Sequence, residues 1–305
     1  MEPFPRPLLA EMVSEAVPGS LLLAVRHLPE GSSALARELI VASATGEQRR
    51  LILRCFTTGW QGSPQSKVER ESLVLSTLTG SGLPVPQAVF SDPQGRWLGV
   101  PAIMQTRLPG RVWWPRAASR SGAIAMGRVL AAIHSWPKPP GLPSARGWVQ
   151  WTIGHERSRA GWADHPQAAA IEEAIVPALG RVLRRRHVLS HGDFNAGNVL
   201  WLRGELSGVL DWEAAESAPP AADVGACRFD LAVTIGTGAS DAFVEGYGTG
   251  DRDLWFWELL TALKFISFYR EWLAVWHRFG LPQLDRRTVR RRIDEAIADA
   301  LRRAA

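Results

Sequence analysis

Two short apolar runs, Val199–Leu202 and Leu206–Leu210, flank the turn residues Arg203-Gly204-Glu205 and predict a tight antiparallel hairpin. Val188 and Leu189 read as a further short buried strand that ends at His191-Gly192. Polar groups collect where these elements meet. Asp193 lies on the loop, Asn198 stands five residues later at the start of the hairpin, and Asp211-Trp212 closes it. Asn198 and Asp211 therefore belong to neighbouring ends of one hairpin. Mg²⁺ prefers oxygen ligands and keeps waters, so this amide oxygen and carboxylate, completed by nucleotide phosphates, form a suitable shell. Asp193 is then left to accept or orient a hydroxyl that attacks a γ-phosphate. His191 is expected to anchor the loop by hydrogen bonds rather than to act as a base.

Asp, Asn and Gly favour ordinary turns, so His-Gly-Asp alone would carry little weight. The full pattern has the spacing of a kinase catalytic loop, His-x-Asp-x-x-x-x-Asn, with a metal-binding Asp on the next strand. His191-Gly192-Asp193-Phe194-Asn195-Ala196-Gly197-Asn198 with Val209-Leu210-Asp211-Trp212 resembles the aminoglycoside phosphotransferase family, which also includes choline, homoserine and macrolide kinases. The resemblance implies an α+β, two-lobed, protein-kinase-like fold. A small antiparallel-sheet lobe with one helix would occupy residues 1–107 and bind nucleotide, and a larger, mainly helical lobe would occupy 108–305. Pro219 to Gly225 also resembles the family's segment after the metal Asp, which gives Asp223 the role of bracing the catalytic loop.

Upstream, Leu21–His27, Leu39–Ser43 and Arg50–Phe56 are apolar runs of strand length. Between the first two, Gly31, Ser32 and Ser33 lie in a turn-prone segment that in the family covers the phosphates; a plain hairpin is the alternative. Arg54 occupies the place of the usual phosphate-binding Lys. It stays charged and can fork onto phosphate oxygens, but its reach differs, and Lys67, Lys138 and Lys264 include no obvious substitute. Lys67–Thr79 has a helical pattern, and a carboxylate on it should pair with Arg54; the family resemblance implies Glu71 rather than Glu69. Gly82–Pro86 breaks that helix and starts a strand to Phe90; Asp92–Gly95 turns, and Trp97–Met104 returns as a strand. Gln105–Gly110 resembles the hinge between lobes. Adenine would meet backbone groups near Gln105 and Arg107, with Met104 behind it.

In the second lobe, Arg120–Trp136 reads as its first large helix, Pro139–Gly147 as a loop, and 165–187 as helical. His134 is given no chemistry. A length of 305 residues suits two lobes, and the longest aliphatic run near the N-terminus is far too short to span a bilayer. Cys55 and Cys227 make no disulfide framework, and a cytoplasmic location, with no membrane partner, is the default. The net charge of +5 comes from arginines spread along the chain. Of the two dense runs, Arg184–Arg186 reads as a helix end, and Arg286–Arg292 surrounds Val289, Ile293 and Ile297 at helical spacing and reads as a solvated helix face rather than a nucleic-acid site.

The expected reaction is therefore ATP- and Mg²⁺-dependent transfer to a hydroxyl of a small molecule, an antibiotic or a metabolite, by a monomer or homodimer. The alternative is a nucleotide-binding pseudokinase or regulatory module. For the acceptor, Trp255, Trp272 and Trp276 offer aromatic surface, although core packing accounts for most such residues. Glu213, Glu216, Asp230, Glu258 and Glu271 are acidic candidates for an amino-bearing substrate, but they form no cluster in sequence.

Overall fold

A computed structural model describes residues 4–28, 34–57, 62–154, 161–248 and 250–305. The chain divides into two compact units, Met1–Pro109 with Leu210–Ala214, and Gly110–Val209 with Ala215–Ala305. The α+β class expected from the sequence is the one found: a small antiparallel-sheet unit and a larger, mainly helical one.

The first unit is a five-stranded sheet in the order β1-β2-β3-β5-β4, antiparallel throughout. Its strands are β1 (Leu21–His27), β2 (Ala34–Ala42), β3 (Gln48–Phe56), β4 (Ala88–Asp92) and β5 (Ala102–Thr106). Side chains alternate along a strand, so Leu51, Leu53 and Cys55 of β3 join Leu39, Val41 and Met104 in one core, which also receives Leu9, Met12 and Val13 from α1 (Arg6–Ala16). That helix is a second one in this unit, beyond the single helix expected; Leu9, Met12 and Val13 are buried at helical spacing and Ala16 packs beside them. Arg54 lies on the alternate register of β3. Helix α2 (Pro64–Leu78) starts at Ser63, whose side chain accepts from the Ser66 N–H, with Pro64 at its first position. Its buried face carries Lys67, Val68, Glu71, Val74, Leu75 and Leu78.

Two local expectations in this unit are corrected. Strand β2 begins at Ala34, well before Leu39, because it pairs with β3 continuously from Ala34–Phe56 to Ala42–Gln48; Arg37 and Glu38 obscure the apolar pattern. The return strand is Ala102–Thr106 and does not include Trp97. The Asp92 carboxylate accepts the backbone N–H of Arg96 at 3.0 Å and of Trp97 at 2.9 Å. These bonds wind the segment into turns, and Pro101 has no N–H for a ladder.

The second unit is built on helices α3 (Trp114–Ala117), α4 (Arg120–Ser135), α5 (Ala145–Gly154), α6 (Ala168–Val182), α7 (Ala221–Thr234), α8 (Thr237–Tyr247), α9 (Leu254–Arg278) and α10 (Arg286–Ala304). Short strands complete it. β6 (Arg111–Val112), β8 (Val199–Leu202) and β9 (Glu205–Val209) form one sheet, while β7 (Val188–Ser190) pairs with β10 (Glu216–Ala218). The β8–β9 turn is tighter than expected. Arg203 and Gly204 both take positive φ, 52° and 88°, as a two-residue turn between right-twisted strands requires, and Glu205 already belongs to β9.

Helix boundaries shift too. The expected loop to Gly147 ends at Ala145, where α5 begins. The helical stretch 165–187 contracts to Ala168–Val182, and the chain then turns so that Arg181 and Arg185 both bind the buried Asp253. In α10, Val289, Ile293 and Ile297 are fully buried, while Arg290 and Arg291 pair with Asp294 and Glu295 one turn on. Among the described residues, no helix is long and apolar enough to cross a membrane.

Candidate active site

In the helical unit the loop after β7 is held from below. The Asp223 carboxylate, on the first turn of α7, accepts the backbone N–H of His191 at 2.7 Å and of Gly192 at 2.9 Å. His134 Nε2 lies 2.9 Å from the same carboxylate, and its Nδ1 meets Tyr247 Oη. Burial alone would raise the Asp223 pKa; the hydrogen bonds and charge of His134 and His191 reverse this and hold it below the usual carboxylate range. His134, read from sequence as inert, is thus part of the brace. His191 Nδ1 accepts the Asp193 N–H at 3.3 Å.

Asp193 projects from this loop with its side chain 37% exposed. Asn198 Nδ2 donates to the Asp193 carbonyl at 2.9 Å and to Oδ2 at 3.1 Å, and Asn195 Nδ2 donates to the same carbonyl. The amide nitrogen of Asn198 is thereby turned to Asp193, which orients its oxygen away. Two groups join them: Lys264, for which the sequence suggested no role, and Asp230, one of the acidic acceptor candidates. Lys264, on α9, places Nζ 3.4 Å from Asp193 Oδ1 and 5.7 Å from the Trp272 ring. Asp230, on α7, has its pKa pushed up to about 7, first by burial and then by the charge of Asp193, against the opposing pull of Lys264.

In the sheet unit the centre is Arg54. It lies on a central strand, buried, which excludes a solvated residue on an edge. One guanidinium nitrogen donates to both Glu71 oxygens at 2.5 and 2.6 Å; the other donates to Asp211 Oδ1 at 2.5 Å and to Glu213 Oε2 at 2.7 Å. Burial opposes the charge on Arg54, but Asp211, Glu71 and Glu213 outweigh it and raise its pKa. Glu213 is pushed up to about 7 by burial and by Asp211, offset by Arg54 and Lys67. Lys67 is buried on α2, 3.1 Å from Glu213 Oε1. A lysine does therefore stand beside the Arg54 cluster, contrary to the sequence reading, and it shares a carboxylate with Arg54. Asp211 adopts φ 70°, a left-handed backbone uncommon outside glycine that Asp tolerates better than most residues.

Of the expected nucleotide contacts, Met104 and Gln105 lie on β5, both buried. Arg107 donates its backbone N–H to the Arg50 carbonyl, and its side chain pairs with Glu38 at 2.7 Å. Gly31, Ser32 and Ser33 lie outside the described residues. Among the acceptor candidates, Trp255 and Trp276 are buried in packing, with Trp276 stacked on Phe265. Glu258 is consumed by Arg228 and Arg303, Glu216 is buried in β10, and Glu271 is exposed.

Each of the two expected ligands, taken by itself, has donor chemistry that suits Mg²⁺. Asn198 offers a hard amide oxygen, and Asp211 a carboxylate whose side chain is 29% exposed although Arg54 already holds one oxygen. Among the described residues no group of three or more His, Cys, Asp and Glu side chains is arranged to hold a metal.

Comparison with known proteins places this geometry in context. Residues 28–260 match the family model described as the phosphotransferase enzyme family, APH. Acyl-CoA dehydrogenase family member 10 of Mus musculus is 28% identical over 194 residues, spanning 58% of this chain and 18% of that protein, so the match takes in less than a fifth of the relative's length. The fold is similar to a thermostable mutant of the aminoglycoside phosphotransferase APH(4)-Ia in complex with AMP-PNP and hygromycin B. The TM-score is 0.61 at 16% identity, covering 97% of this chain and 98% of that one. It is also similar to the macrolide 2′-phosphotransferase MphH from Brachybacterium faecium, with a TM-score of 0.57 at 20% identity over 96% and 97% of the two chains. With its kinase-like two-lobed fold and a family match over most of its length, the chain belongs to the phosphotransferase enzyme family.

Proposed function

We propose that this protein transfers the γ-phosphate of ATP to a hydroxyl of a small molecule, with Asp193 as the base. The observation that carries the reading is the set of bonds around Asp193. Asp223 fixes the loop backbone, Asn198 holds one carboxylate oxygen, and a partly exposed carboxylate is left facing outward. Such a group can orient the acceptor hydroxyl and take its proton as the oxygen attacks phosphorus. Asn198 and Asp211 would hold Mg²⁺, which when bound neutralises charge on the phosphate oxygens. Arg54, fixed by Glu71, supplies a permanent positive charge for phosphates. Backbone groups near Gln105 and Arg107 would receive adenine in front of Met104, and Gly31, Ser32 and Ser33 would cover the phosphates. Residues 1–107 form the nucleotide lobe and 108–305 the catalytic and acceptor lobe in this reading. Dependence on ATP fits a cytoplasmic location.

One observation favours a second reading, a nucleotide-binding module without transfer: Arg54 already donates to Asp211 Oδ1 at 2.5 Å, so the carboxylate expected to hold a metal is partly engaged. A panel of hydroxylated antibiotics and metabolites incubated with Mg-ATP, read by ADP release and product mass, separates the two. Turnover with any acceptor removes the second reading. Asp193→Asn should abolish turnover while nucleotide binding persists; equal activity in that variant would overturn the assignment of the base.

A further inference from the structure

We propose that Lys264 is a positioning and specificity-determining residue of the acceptor site, one that orients Asp193 and disfavours acceptors with an ammonium beside the reacting hydroxyl. The inference rests on Asp193 being the base. Asp193 has two carboxylate oxygens, and Asn198 takes Oδ2 at 3.1 Å. Oδ1 is the oxygen beside Lys264, at 3.4 Å. A hydroxyl hydrogen-bonded to Oδ1 sits about 2.7 Å from it and hence within about 6 Å of Nζ. No acceptor oxygen can use that position without meeting the ammonium's field.

The ammonium is built in. Its side chain is 18% exposed, far less than a solvated lysine. It projects from the long helix α9 with Trp272 two turns further along the same face, the ring 5.7 Å from Nζ. Asp230, partly buried on α7, is near enough to feel the charges of both Asp193 and Lys264. A cation held between a ring and the Asp193 carboxylate keeps one place. It acts on Asp193 as a fixed partner and limits the orientations the carboxylate can take.

The same cation selects. An acceptor ammonium on the carbon next to the reacting hydroxyl would lie roughly 5 Å from Nζ, where like charges in a partly dry site weaken binding roughly 10- to 100-fold. A neutral or anionic group at that point meets no such penalty, and Trp272 offers a flat apolar wall. The expected acceptor class is a small hydroxy compound with an apolar portion and no amine adjacent to the reacting carbon.

The test is steady-state kinetics of Lys264→Met and Lys264→Arg, with Asp193→Asn alongside and circular dichroism to verify folding. Acceptors are matched pairs with and without an amine next to the hydroxyl. If no alcohol turns over, Mg-ATP hydrolysis with water as acceptor is read instead. Lys264→Met should lower kcat about 10- to 100-fold, the range expected when a reacting group is misplaced. The KM for Mg-ATP should stay unchanged, and Lys264→Arg should restore most of the loss. The ratio of kcat/KM for amine over neutral acceptors should rise at least tenfold in Lys264→Met. A folded Lys264→Met with wild-type kcat and an unchanged ratio, beside an inactive Asp193→Asn, overturns the role of Lys264 alone. An active Asp193→Asn overturns the underlying assignment of the base. Should Lys264→Met not fold, Lys264→Gln takes its place under the same criteria.

Discussion

Replacing Arg54 by Met keeps much of the side-chain volume and takes a guanidinium away from three carboxylates at once. Its bonds run to Glu71 at 2.5 and 2.6 Å, to Asp211 at 2.5 Å and to Glu213 at 2.7 Å. The Arg54 side chain is 10% exposed and that of Glu71 is fully buried, so the Glu71 charge is stranded out of water. Removing one member of a buried pair costs about 3–5 kcal/mol. Lys67 still neutralises Glu213 at 3.1 Å, which places the loss near the low end, about 3 kcal/mol. The loss should also depend on pH. Burial already pushes the Glu71 pKa up, with Arg54 the main opposing force. Without Arg54, Glu71 retains its proton in the folded state well above the range where the unfolded chain releases it. The folded state then binds more protons, so the variant's stability falls as pH rises through that window and the deficit is largest on the alkaline side. Arg54→Met/Glu71→Gln removes the stranded carboxylate and should recover about half of the loss. Urea unfolding followed by tryptophan fluorescence, at about pH 5.5 and about pH 8, measures all of this. A cost below about 1 kcal/mol at the higher pH, or a double variant no more stable than Arg54→Met, would refute the buried-cluster reasoning.

Helices α4 and α8 approach through glycines: a Cβ at Gly127 would lie 2.2 Å from the Phe243 carbonyl oxygen and 2.5 Å from the Tyr247 nitrogen. Gly127→Ala should therefore destabilise by about 1–3 kcal/mol, whereas Gly147→Ala, whose Cβ meets nothing within 4 Å, should be neutral or stabilising by up to about 1 kcal/mol. Thermal melts of the two compare them directly, and equal shifts would argue against close packing at Gly127. Asp230 has a folded pKa of about 7, above its ordinary value of 3.8, so the folded state holds a proton that the unfolded chain releases. Stability attributable to this group is present at low pH and lost as pH rises through 7; Asp230→Asn should flatten the Tm-against-pH profile between those values, and an unchanged slope would contradict the burial of this carboxylate.

The sequence alone determined the elements whose causes are local. The loop from His191 to Asn198 and the hairpin ending at Asp211 are legible because strand length, turn chemistry and a fixed spacing act over a few residues. Arg54 and Glu71 could be paired on paper because the family resemblance fixes which strand and helix positions face each other. Where a local pattern met an unseen competitor the reading failed, as at Trp97, whose apolar run suggested a strand while Asp92 wound it into turns. Only the tertiary structure decided which charges share a site. Lys67 and Glu213 stand 146 residues apart, and Lys264 and Asp193 stand 71 apart. No periodicity or motif links such pairs, because their meeting is set by the packing of α2 and α9. The same packing dehydrates them, and it is dehydration that makes a lysine beside Asp193 or an acid beside Arg54 matter. Chain-local forces thus placed the loop, and three-dimensional burial chose its partners.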